Sequence, residues 1–341
     1  MQLTVLDLTR LLPGGYTTYL LLLAGARVIK VERPGKGDYL RDFPFPLSDG
    51  MSVYFHAINR GKESVEIDLE GHPERLLKLA EHADVLIEGF RPGTMERFGL
   101  GYRAVAGRNP MIVYASLSGY GQHGPRTRHP GHDINYIGLS GLLDISRGSD
   151  GKPAIPALQV ADVAAGSLMA VNRILQAVLE RTERGAGQYL DIGMLPGMSS
   201  LLSFTAAPAV LSHKTVDWSD LLLSGQVACY NVYPTKDGRW MSVGNLEEKF
   251  WIVFCKILNR IAWISKQFDR TSAFREEIAV LFQSKTQKEW TELFSGQETC
   301  VEPVLTINEA AGTGLFEYPE GAAPRCGEHT ASVFEEFGIT A

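Results

Sequence analysis

What this sequence has little of removes several classes of function. Cysteine occurs only at Cys229, Cys255, Cys300 and Cys326, with no Cys-x-x-Cys pair and no Cys/His cluster at zinc spacing. Neither a redox dithiol nor a metal site is expected, and scattered thiols suit a reducing compartment. Long apolar runs are missing too. The stretch at 19–26 is too short to span a bilayer, and the start Met1-Gln2-Leu3-Thr4-Val5-Leu6 lacks the basic head of a signal peptide. A cytoplasmic protein without a membrane partner is the expectation. Positive charge is in deficit, with 33 Lys and Arg against 39 Asp and Glu and a net charge of −6. Nucleic acid is therefore not an expected partner, and any anion must be held by local clusters of Arg, Lys and helix termini. No Gly-x-Gly-x-x-Gly follows a strand, no Walker sequence is present, and the Gly35-Lys36-Gly37 turn is a weak phosphate signal. A nucleotide-dependent dehydrogenase is a poor reading.

What is present is ordinary globular material: 45% hydrophobic and 21% charged residues over 341 positions. That suffices for a large core and suits one larger and one smaller domain. Apolar strands are expected at 3–8, 27–31, 64–69, 84–87 and 111–116, with helices at 15–23 and 74–82 between them. Strands interleaved with helices imply a parallel α/β sheet covered on both faces. From Asp162 a long helix is marked by Val171, Ile174, Leu175, Val178 and Leu179. It stops at Gly185-Ala186-Gly187, and 188–192 returns as a strand. Periodicity is lost around 208–224. A hairpin at 230–243, turning at Lys236-Asp237-Gly238, and helices at 250–257 and 288–294 then form a small α+β domain. The expected division is a large domain at 1–205, a linker at 206–225, a small domain at 226–300, and a segment at 301–341 that returns to the large domain.

Four segments could carry chemistry. His132, in Gly131-His132-Asp133-Ile134-Asn135-Tyr136, sits in a loop ahead of a helix that Asp133 is placed to cap. A loop histidine taken alone is more often exposed or structural than catalytic. Asp162 opens the long helix, where capping is its plainer role. The same position, beside backbone N–H groups at a positive dipole end, could stabilise an enolate oxygen and exchange a proton with the neighbouring carbon. Glu247 reads by itself as a solvated first-turn residue. The stretch Glu88-Gly89-Phe90-Arg91-Pro92-Gly93-Thr94-Met95-Glu96-Arg97 leaves a strand end and offers two arginines among glycines, which suits a phosphate.

Taken together these stretches, with Val5-Leu6-Asp7-Leu8-Thr9-Arg10, the run at 23–34, Asn59-Arg60-Gly61-Lys62, the run at 185–191, Cys300-Val301-Glu302-Pro303 and the run at 324–330, resemble the family III CoA-transferase superfamily. The likeness spans nearly the whole chain and is strongest to the α-methylacyl-CoA racemase branch. It implies a large domain with a parallel Rossmann-like sheet, a smaller α+β domain, and an intertwined homodimer. It implies that His132 and Asp162 act as opposed acid/base groups, that the Asp162 N–H holds the enolate oxygen, and that Glu247 hydrogen-bonds His132, across the interface. It assigns CoA binding to Arg33, Ala57, Lys62, Gly89, Phe90, Arg91, Arg97 and Tyr136, with Arg33, Lys62, Arg91 and Arg97 on the phosphates. No metal or redox cofactor is implied; coenzyme A enters as part of the acyl-CoA substrate. The expected activity is racemisation of 2-methylacyl-CoA thioesters. The alternatives are a transferase using Asp162 as nucleophile and a silent CoA-thioester binding protein.

Overall fold

Alternation of apolar side chains sets up the sheet. In β1 (Thr4–Leu8) Val5 points to one face while Leu6 and Leu8 point to the other, as a period of two requires. In β4 (Val85–Glu88) Val85 and Ile87 face one core and Leu86 the other. With β2 (Arg27–Glu32), β3 (Glu63–Glu66), β5 (Val113–Ser118) and β6 (Tyr189–Gly193) they form a six-stranded, all-parallel sheet in the order β3-β2-β1-β4-β5-β6. Helices Leu11–Leu23, Met169–Arg184 and Met194–Leu201 cover one face. Pro73–Ala80, Tyr102–Arg108 and Thr330–Glu336 cover the other. Both faces are thus covered, and the strand residues that pack on the helices are apolar.

The computed structural model describes residues 3–148, 150–318 and 321–340. The chain divides into one unit made of Met1–Leu143, Ile155–Phe204 and Tyr318–Ala341, and a second of Asp144–Ala154 and Thr205–Glu317. In the first unit the C-terminal segment lies along edge strand β3. Gly327 N–H donates to Ser64 Oγ at 2.9 Å, and Glu66 N–H donates to Thr330 Oγ1 at 3.0 Å. A sheet edge that would otherwise expose unpaired groups is closed this way. The second unit holds an antiparallel sheet of β7 (Tyr230–Pro234), β8 (Trp240–Gly244) and β9 (Val301–Pro303). Gly238 turns the hairpin at φ 72°. Stacked Phe254, Phe282 and Phe294 with Trp290 fill its core.

Several expectations need correcting. The first helix begins at Leu11, four residues before the expected 15, with Leu11 itself at φ 62°. Ser203–Ser212, expected largely as linker, is helical despite Pro208. Residues 301–303, expected at the start of the returning segment, are instead a strand of the second unit's sheet. The apolar pattern on Met169–Arg184 is wider than its buried stripe: Ile174 and Val178 are buried, but Leu175 and Leu179 are exposed. Among the described residues no single helix is long and apolar enough to cross a membrane.

A fully buried ionic network holds the first turn of the first helix. Asp7 Oδ2 lies 3.2 Å from Lys62 Nζ, and Lys30 Nζ lies 2.9 Å from Asp38 Oδ2. Burial opposes Asp7's ionisation, but the two ammonium groups prevail and hold it at about 2. Lys30 Nζ also donates to Thr9 O at 3.0 Å, and Asp38 Oδ1 accepts the Leu11 N–H at 3.0 Å. The strained left-handed Leu11 is therefore fixed by charges beneath it. Removing one partner leaves the others buried and uncompensated, which costs more than the pair contributes. Asp7→Asn is expected to lower the unfolding free energy by about 3–5 kcal/mol. Denaturant unfolding at neutral pH checks this, and a loss under about 1 kcal/mol would contradict it.

Candidate active site

The strand order reverses direction between β1 and β4, and open α/β sheets bind ligands beyond the strand ends at that point. Here the segments leaving β1 (residues 9–14), β4 (89–92) and β5 (117–120) line a cavity of about 1090 Å³, entirely within the first unit. Arg10 and Arg91 both lie on its wall. The Arg10 guanidinium sits over the Tyr39 and Phe90 rings at 5.4 and 5.1 Å and donates to Tyr39 Oη at 3.1 Å.

His132 and Asp162 reach this same cavity from different elements. His132 is the exposed N-cap of helix Asp133–Leu139. Its N–H donates to Asn135 Oδ1 at 3.0 Å, and Tyr136 Oη donates to Gly131 O at 2.7 Å, so the loop is held from both sides. A Cβ at Gly131 would lie 2.8 Å from the Tyr136 ring and 2.7 Å from Tyr120 Oη, so a side chain there would force the tyrosines to shift. Burial pushes the Tyr136 phenol up to about 12. Asp162 lies in the π-helical stretch Ala161–Leu168 that runs into Met169–Arg184. Such wide turns recur at functional sites. Burial, then the Asp133 carboxylate, raise its carboxyl to about 7. It is poised to give or take a proton near neutrality.

The expected site residues separate into groups. His132, Asp162, Ala57, Gly89, Phe90, Arg91 and Tyr136 all line the cavity. Lys62 does not: it is buried, and its ammonium donates to Thr18 Oγ1, Asn59 Oδ1 and Gly15 O as well as Asp7. It supports the fold and is not free for a phosphate, which corrects the expectation. Arg33 is exposed on the loop after β2, and the Arg97 guanidinium covers the Phe98 ring at 5.1 Å; neither lines the cavity. Glu247 belongs to the second unit, as N-cap of helix Glu248–Ile257. The expected cap at Asp133 is also corrected. Its carboxylate accepts the Asp162 N–H at 3.0 Å, so the amide expected to hold an enolate oxygen is already bonded. Sequence reasoning gave no role to Arg10, although it stood in a stretch that carried the family likeness.

Comparison with known proteins places these features in a family. The model of CoA-transferase family III matches residues 1–330. The human protein named alpha-methylacyl-CoA racemase is 33% identical over 372 residues, covering 99% of this chain and 93% of its own. The mouse succinyl-CoA:glutarate CoA-transferase is also 33% identical, over 89% of this chain and 72% of its own. Among solved structures, a CAIB/BAIF family protein from Brucella suis superimposes with a TM-score of 0.82 at 26% identity, covering 98% of each chain.

Glu88, at the end of β4 beneath the cavity wall, is only 5% exposed and has no cation partner among the described residues. Burial raises its carboxyl from 4.5 to about 7, against hydrogen bonds from Ser116 and the Phe90 N–H, the latter at 2.7 Å. Its proton is therefore held more tightly in the folded state than in the unfolded one. That stabilisation is complete below about pH 4.5 and is lost as pH rises to about 7. The loss is on the order of 3 kcal/mol. Glu88→Gln abolishes this dependence, so its stability should rise relative to the parent between pH 5 and pH 8. Parallel pH profiles of urea midpoints would contradict the assignment.

Proposed function

Since the chain belongs to CoA-transferase family III, we propose that it racemises 2-methylacyl-CoA thioesters by moving the α-proton. The observation that carries this reading is that His132 and Asp162 line one cavity while the Asp162 carboxyl is raised to about 7. A thioester carbonyl acidifies its α-carbon because the resulting carbanion delocalises onto oxygen. Racemisation needs a base on one face, an acid on the other, and a donor at the oxygen. In one direction His132 removes the proton and Asp162 returns one to the opposite face; in the other the roles exchange. Asp162 serves both directions because neither protonation state dominates near neutrality. Arg91, and Arg10 beside it, supply positive charge on the cavity wall for the CoA phosphates. The reading needs no metal or redox cofactor. It includes a homodimer in which Glu247 of the partner subunit orients His132.

A second reading has support of its own: the succinyl-CoA:glutarate CoA-transferase is as similar as the racemase. In that reaction Asp162 would attack the thioester as a carboxylate, releasing CoA and forming an acyl anhydride. One experiment separates the two. A single enantiomer of a 2-methylacyl-CoA in D₂O is expected to gain α-deuterium and lose enantiomeric purity without any added carboxylate. CoA exchange that requires an acceptor, with no deuterium uptake, would support the transferase.

His132→Ala and Asp162→Ala should each slow this exchange by about two to four decades while acyl-CoA still binds. Near-normal exchange in either variant would remove that residue from the mechanism. Arg91→Ala should raise KM for the thioester with little change in kcat, since a phosphate contact holds ground and transition states alike. A large fall in kcat at unchanged KM would contradict the role.

A further inference from the structure

Asp162 and Pro13 line the same cavity from separate elements, the π-helical stretch Ala161–Leu168 and the helix Leu11–Leu23. Ser167 joins the two. Its side chain is buried, and Oγ lies 2.6 Å from Pro13 O and 3.1 Å from Asp162 O. A hydroxyl has one proton to donate, so the two carbonyls share it. This is not the ordinary pattern for serine in a helix, where the hydroxyl returns to the carbonyl four residues back. Ser167 reaches five residues back, which the widened turn allows, and 154 positions back to another element. The neighbouring Ala161, Ala165 and Gly166 are buried and have no polar side chain with which to fix the turn. A π-helical stretch is rare and regular α-helix resumes at Met169, so Ser167 supplies a bond that favours the wide form.

We propose that Ser167 is a positioning residue: its hydroxyl clamps the Asp162 turn to the Pro13 wall and so fixes where the Asp162 carboxyl sits in the cavity. This rests on the reading of Asp162 as an acid/base group. The Asp162 carboxyl keeps its proton because it is withdrawn from water and lies near the Asp133 carboxylate. Both conditions belong to the placement of the turn. A turn released from Pro13 admits water to the carboxyl, which then ionises more readily. Misplacement by about an ångström also degrades the geometry of proton transfer, whereas Arg10 and Arg91 stand on other segments and keep their hold on the ligand. A hydrogen bond that only stabilised the fold would have neither effect. The protein contains the matching control. Thr17 Oγ1 donates to the same Pro13 O at 2.7 Å, from an equally buried position within the first helix.

The test compares Ser167→Ala, Ser167→Cys and Thr17→Val with the wild type. Carbon-13 resonances give the titration midpoint of the Asp162 carboxyl, and 2-methylbutanoyl-CoA in D₂O gives kcat and KM for α-deuterium uptake. In Ser167→Ala the midpoint should fall by about one pH unit and kcat about tenfold, each the equivalent of one hydrogen bond, with KM unchanged. Ser167→Cys keeps a weak donor of similar size and should fall between. Thr17→Val should lower the urea midpoint as much as Ser167→Ala does, yet leave the carboxyl titration and kcat at wild-type values. A Ser167→Ala carboxyl midpoint that stays at the wild-type value or rises overturns the proposal, as does an equal shift in Thr17→Val. Should Ser167→Ala not fold, Ser167→Cys against Thr17→Val carries the same comparison. If the midpoint moves as expected but the wild type takes up no α-deuterium, the clamp stands and the racemase reading falls. A wild-type midpoint near 4, that of an ordinary aspartate, overturns the acid/base reading and the clamp with it.

Discussion

The site depends on the burial of one carboxyl beside another. Asp162 is withdrawn from water in a widened helical turn, and the Asp133 carboxylate hydrogen-bonded to its N–H adds a second reason for it to keep its proton. Both effects act in the same direction, because each penalises the charged form. An ordinary aspartate is almost fully ionised at pH 7 and a poor acid; one raised to about 7 can serve as either partner in a proton transfer. The surrounding structure maintains this condition. Gly131 lets Tyr136 and Tyr120 press against the His132 loop, and the wide turn carrying Asp162 packs closely on helix Met194–Leu201 through Gly197.

A second layer of charge lies under the cavity rather than in it. Asp7, Lys30, Asp38 and Lys62 are all buried, and they anchor the strained turn at Leu11 that forms part of the wall. Buried ion pairs are poor sources of net stability but strong constraints on geometry once present. Their role here is to position a loop, and the arginines that face the cavity, Arg10 and Arg91, are left outside the network.

Much of this was legible in the sequence. The β1 to β6 strands follow from short apolar runs separated by helical patterns, and the His132 and Asp162 segments carried the family likeness. Lys62 was misjudged because a lysine gives no sign of burial; only the fold brings Asp7, Thr18 and Asn59 around its ammonium. Asp133 was misjudged because local rules favour an aspartate as a helix cap, whereas its partner lies 29 residues further on. The helical continuation through Pro208 escaped because proline inside a helix argues against one. For Lys62 and Asp133 a contact distant in sequence overrode a local preference.

The racemase and transferase readings make different demands on the same aspartate: a nucleophile must be ionised, while a reversible acid/base group must titrate near the working pH. The most direct measurement is therefore the titration of the Asp162 carboxyl itself. With ¹³C-labelled aspartate, and the signal assigned by its loss in Asp162→Asn, the carboxyl resonance should show a midpoint near 7 in the unliganded protein. A midpoint near 4, the value of an unperturbed aspartate, would contradict the account.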